Sequence, residues 1–179
     1  VRKDDDIRAV EGLYYVDEHF LEMFDFPLLA VAKERLLSQN FQVIISKQQV
    51  NSWFSLKDEN YESVLGEQIV IDEEEEPYTI VGVLDDVPAN SLLSPEMLVS
   101  YSSLIQVICW HVDNSWTWSD FYHYVELEPE ADVTALETKF KGFSERYFRG
   151  NWVSGSEELF YLQPLLEAHV QSNDLEYEI

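Results

Sequence analysis

The sequence predicts an α+β fold of mixed, largely antiparallel sheets with helices packed on one side, in two subdomains. Three observations lead there. Short apolar runs bounded by polar turns alternate irregularly with segments of helical spacing. Two β-rich runs flank the acidic stretch EEEEP, as a hairpin requires. A capped helix of clear apolar periodicity occupies residues 132–148.

Taken in order, Arg8–Asp17 (RAVEGLYYVD) mixes aromatic and aliphatic residues into a strand. Asp17 is placed to cap a following helix, whose Phe20, Met23 and Phe24 recur at helical spacing and which Pro27 stops. Gln42–Ser46 (QVIIS) reads as a short buried strand. Ser46 with Gln49 three residues on forms a capping box. The helix that it opens presents Val50 and Trp53 or Phe54 to a core. Gln68–Asp72 and Tyr78–Leu84 are the hairpin strands. A change of subdomain is expected after Asn90, giving residues 1–90 and 91–179. In the second part, Phe121–Glu128 alternates as a strand ended by Pro129. Asp132 caps the helix whose Val133, Leu136, Phe140, Phe143 and Tyr147 form a stripe expected to pack on that strand. Leu159–Leu166 reads as a last edge strand, since Pro164 cannot donate to a ladder.

The 179 residues include 46% hydrophobic and 14% aromatic side chains, enough for a core. The net charge of −24 repels phosphate backbones and anionic headgroups, so nucleic acid is excluded as a partner. One cysteine, Cys109, leaves no internal disulfide to form. No apolar run approaches the roughly 20 residues that span a bilayer. The charged opening VRKDDDIRAV is no signal peptide, and the missing initiator Met predicts an excised fragment of a longer chain.

Candidate chemistry concentrates in two places. Asp85 and Asp86 follow the strand YTIVGVL and could be a metal or catalytic pair, or the solvated end of a finished strand. Cys109, His111 and Asp113 alternate, with Asp120 and His123 nearby, and all are zinc-ligand types; their spacing matches no established zinc pattern. Trp110, Trp116 and Trp118 could stack on sugar rings or anchor a small core. The glutamate run before Pro77 lacks the oxygen spacing and the glycine of a calcium loop. There is no Gly-rich phosphate loop, no G-x-S-x-G elbow and no H-E-x-x-H pair among His19, His111, His123 and His169. The residues therefore predict no enzyme, no catalytic or metal site and no cofactor. The alternative they leave open is a secreted carbohydrate- or metal-binding module centred on residues 109–124.

Collinear segments carry a resemblance. YYVDEHFLEMFDFPLLA, VIISKQQVNSWF, VLGEQIVID, YTIVGVLDDVPANS, MLVSYSSL, WSDFYHYVELEPEADVTALETKF and LQPLLEAHVQSN follow one another from about Gly12 to about Asn173. The chain resembles the extracytoplasmic core domain of MacB/FtsX-type ABC transporter permeases, in a Bacteroidetes-like form. It departs from the family pattern at Ala30, Val31 and Ser55, where glycines are usual. It also lacks the portion that in the family precedes these segments. The resemblance implies a non-enzymatic periplasmic domain tethered to the inner membrane by transmembrane helices outside this chain. It implies as partners an ABC ATPase, a second permease copy or homologue, and a periplasmic adaptor or lipoprotein. It also makes the DDVPANS turn a structural junction.

Overall fold

The computed structural model describes residues 1–3, 6–33, 35–54, 56–71, 76–88, 91, 93–107, 121–147 and 160–167. The chain divides into two compact units, Val1–Asp113 and Asn114–Ile179. In chain order the first unit contains β1 (Arg2–Lys3), β2 (Asp6–Ile7), β3 (Leu13–Val16), α1 (Phe20–Met23), β4 (Leu28–Val31), β5 (Gln42–Ser46) and α2 (Lys47–Trp53). A 3-10 turn (Tyr61–Val64), β6 (Gln68–Ile69), β7 (Tyr78–Leu84), β8 (Met97–Ser100) and α3 (Tyr101–Val107) follow. The second unit contains α4 (Val133–Tyr147).

Among the described residues the first unit is built on a six-stranded sheet of order β3-β8-β5-β7-β4, with β6 also paired to β7. The α+β class holds. The pairings β5–β8, β4–β7 and β6–β7 are antiparallel, and β3–β8 and β5–β7 are parallel. The expected hairpin forms, with Gln68 opposite Thr79 and Ile69 opposite Tyr78. β8 lies beyond the boundary expected after residue 90, yet it is hydrogen-bonded to both β3 and β5.

Val43, Ile44 and Ile45, the centre of β5, are consecutive apolar residues because the strand is buried on both faces. Val43 and Ile45 enter one core with Val50, Tyr78, Ile80, Val83 and Val99; Ile44 enters the other with Val81, Leu84 and Leu98. Helical cover is not confined to one side of the sheet. Val50 of α2 belongs to the first core, whereas Phe20 and Leu21 of α1 pack on the second. α3 is fixed by buried hydroxyls: Ser103 Oγ accepts from Phe41 N at 2.7 Å and meets Ser100 Oγ at 2.6 Å, and Ser100 Oγ accepts from Gln42 N at 3.3 Å.

Local expectations fared unevenly. The first long strand is confined to Leu13–Val16. Asp17 does not cap α1 itself; its Oδ1 accepts from His19 N at 2.9 Å, and His19 is the cap residue. α1 ends at Met23, ahead of Pro27.

In the second unit, α4 begins as expected, with Asp132 Oδ1 accepting from Ala135 N at 3.0 Å. The stripe is corrected. Leu136 and Phe140 are half-buried and Ser144 is buried, but Val133, Phe143 and Tyr147 are exposed. Residues 121–128 form no strand, and Tyr122 and Val125 are 76% and 60% exposed. Residues 160–164 are not a strand either. Glu167 N donates to Pro164 O at 2.9 Å, closing a turn in which Pro164 stands at the start, where its missing N–H costs nothing.

Candidate functional site

β5 and β7 run parallel with Ser46 opposite Leu84, so the residues that follow them leave the sheet side by side. Those residues are Lys47 and Asp85. Lys47 Nζ lies 3.4 Å from Asp85 Oδ1 and 3.8 Å from Asp86 Oδ2. Asp85 N donates to Pro27 O, and Asp86 N donates to Asp85 Oδ1. Lys47 is the first residue of α2, where the helix dipole disfavours a cation. The two carboxylates offset this and raise the Lys47 pKa above its ordinary 10.5, the Asp85 charge being the largest cause. Asp85 and Asp86 thus stand as partners of an ammonium at a strand exit.

Beside this pair lies a second junction. Ser46 Oγ accepts from Gln49 N at 3.3 Å, which is half of the expected capping box. The reciprocal half is absent: Ser46 N donates to Glu96 O at 2.8 Å, and Gln49 Nε2 donates to Glu96 Oε2 at 2.9 Å. Glu96 N and Met97 N both donate to Gly12 O. Gly12 is required there, because a Cβ would come 2.5 Å from Ser94 O and 2.9 Å from Glu96 N. Together these bonds tie the start of β3, the start of β8 and the end of β5 into one polar knot. The knot contains donors and acceptors that satisfy each other, without a nucleophile set against a base.

Among the described residues the first unit carries a notch and a cleft. A notch of about 520 Å³ lies where β4 ends and β6 begins along the same edge of β7, lined by Val31–Lys33, Leu65, Gly66 and Thr79–Val81 with Glu62. A cleft of about 190 Å³ lies between α1 and the Arg35–Leu37 loop. Its rim carries a charge network that the sequence did not disclose. Arg35 reaches Glu18 at 3.3 Å and Glu22 at 3.8 Å, and His19 Nδ1 lies 2.8 Å from Glu22 Oε2. That hydrogen bond raises the His19 pKa above 6.5 and lowers that of Glu22 below 4.5.

Of the zinc and sugar candidates, Cys109, Trp110, His111, Asp113, Trp116, Trp118 and Asp120 lie outside the described residues, as do Glu73–Glu75. His123 is described, its ring 6.3 Å from that of Phe121. Among the described residues no three His, Cys, Asp or Glu side chains gather as metal ligands. No helix among them is long and apolar enough to cross a membrane.

The fold has solved counterparts. A domain assigned to a permease protein from Porphyromonas gingivalis superposes with a TM-score of 0.60 at 21% identity, over 87% of this chain and 67% of that one. The periplasmic region of MacB from Actinobacillus actinomycetemcomitans superposes with a TM-score of 0.51 at 15% identity, over 91% of this chain and 65% of that one. The chain therefore spans about two thirds of the length of either structure. No curated protein matches it. The family described as MacB-like periplasmic core domain matches residues 1–143. With four fifths of its length matched, and a fold shared with a MacB periplasmic region, the chain belongs to the MacB-like periplasmic core domain family.

Proposed function

We propose that this chain is a non-enzymatic extracytoplasmic domain of an ABC transporter permease, one that carries motion driven by cytoplasmic ATP hydrolysis to a substrate or partner protein in the periplasm. The observation that carries this reading is the family match over residues 1–143. The sheet supports it physically: strands buried on both faces and stitched at one end by the Lys47–Asp85 and Ser46–Glu96–Gly12 bonds suit a body that moves as a unit. ATP is hydrolysed by a separate module, which accords with the missing phosphate loop. Transmembrane helices outside this chain, a second permease copy, and an adaptor or lipoprotein complete the assembly.

The test uses the complete permease with its ATPase in proteoliposomes. Removal of residues 1–179 is expected to leave ATPase binding and basal ATP hydrolysis in place while abolishing export. Undiminished export by the truncated permease overturns the proposal.

A further inference from the structure

One face of the first unit's sheet is covered in part by short elements. Ile44, Val81 and Leu98 on that face are roofed by Phe20 and Leu21 of α1 and by the loop that ends at the buried Leu37. α1 is only four residues long, too short to hold its place by its own backbone bonds. The two halves of the roof meet across the 190 Å³ cleft, where Glu18 and Glu22 on one side reach Arg35 on the other.

His19 stands between two carboxylates. Its Nδ1 lies 2.8 Å from Glu22 Oε2 and its Nε2 lies 3.8 Å from Glu18 Oε1. The other oxygens of the same carboxylates face the guanidinium from the opposite half of the roof: Glu18 Oε2 is 3.3 Å from Arg35, and Glu22 Oε1 is 3.8 Å from it. Among the described residues Asp17 is a further charged neighbour, its Oδ1 accepting from His19 N. An imidazolium has an N–H for each carboxylate. A neutral imidazole has one N–H and must turn a lone pair toward the other carboxylate. Only the Nδ1 contact is within hydrogen-bond distance, and the charged ring adds ionic attraction to both carboxylates.

We infer that His19 is a proton-operated clasp: protonated, it holds Glu18 and Glu22 toward Arg35 and keeps the cleft between α1 and the Arg35–Leu37 loop closed, and on losing its proton it lets that cleft loosen.

The sign follows from both partners. His19 has its pKa raised above 6.5, so its contribution is fully present below 6.5 and is lost as pH rises through the folded value. Glu22 has its pKa lowered below 4.5, so its contribution is present above 4.5 and is lost as pH falls through the folded value. The clasp is therefore closed between 4.5 and 6.5 and opens on the alkaline side. Its groups are exposed, so added salt weakens it.

The test is an NMR pH titration of the 179-residue chain, following the His19 ring and the methyl groups of Leu21 and Leu37, which line the cleft. The His19 ring is expected to titrate above 6.5, and the methyl shifts to move with the same midpoint. Glu22→Gln should lower that midpoint, and His19→Gln should remove the matching transition from the methyls. A ring that titrates at or below 6.5 overturns the inference, as do methyl transitions that persist unchanged in His19→Gln.

Discussion

Lys47 Nζ lies 3.4 Å from Asp85 Oδ1, and this contact exists because β5 and β7 run parallel with Ser46 opposite Leu84. One strand ends in a helix that starts with a cation. Its neighbour ends, at the next register position, in two acids. Replacing both acids, as Asp85→Asn with Asp86→Asn, should keep the fold and lower the urea midpoint only slightly, since exposed ion pairs contribute little. The raised Lys47 pKa means that the link is fully present below 10.5 and is lost as pH climbs through the folded value above it. The difference between wild type and double variant should accordingly vanish in strong alkali, and also in molar salt. Loss of the fold at neutral pH would mean that the acids hold something other than Lys47.

Gly12→Ala should be far more damaging. Its Cβ would press on the backbone of Ser94 and Glu96, neither of which is a flexible side-chain end. Overpacking of this kind costs about 1–3 kcal/mol. Chemical denaturation should show the loss, and a neutral outcome would mean that the β3–β8 junction is looser than described.

Ser103→Ala tests the tie between α3 and the sheet. The substitution leaves Phe41 N without its acceptor, in a region where Ser100 and Ser103 are fully buried. An unsatisfied buried donor costs about 1–3 kcal/mol. Hydrogen exchange should quicken at the Phe41 amide before it does at Ile45. Unchanged protection there would remove Ser103 from its assigned role.

Much of this fold is legible in the sequence, and the losses follow one pattern. β5, α2 and the β6–β7 hairpin could be read because their signals are local: an apolar run, a Ser46 cap, two β-rich segments around a polar tip. Asp132 announced α4 in the same way. The parallel β3–β8 and β5–β7 pairings could not be read, because each joins segments far apart in the chain and leaves no local mark. The Lys47–Asp85 pair follows from the β5–β7 pairing, and the diversion of Gln49 to Glu96 follows from the equally distant antiparallel β5–β8 pairing, so both were hidden. The alternation at residues 121–128 misled because period-two patterning describes which side chains share a face and does not by itself make a strand.

That correction changes the expected weight of α4. Ile45 has no exposed surface, whereas Phe143 is 39% exposed and meets Phe160 edge-on at 5.7 Å. Ile45→Ala should cost about 2–5 kcal/mol, from lost transfer energy and the cavity left behind. Phe143→Ala should cost clearly less, and the half-buried Phe140 should fall between them. Paired denaturation curves decide this, and a Phe143→Ala loss equal to that of Ile45→Ala would restore the stripe as a full core.

The central claim is that this domain belongs to a permease and faces outward from the inner membrane. Its most direct test is the sidedness of the complete gene product in the cell. Lys57 is exposed and lies outside the Lys47 and Glu96 junctions, so Lys57→Cys in a Cys109→Ser background gives one reporter thiol on this domain. The account predicts that a membrane-impermeant maleimide labels this thiol in intact spheroplasts, and that the labelled protein stays with the membrane fraction. Labelling that appears only after lysis, or a labelled protein released in soluble form, would contradict it.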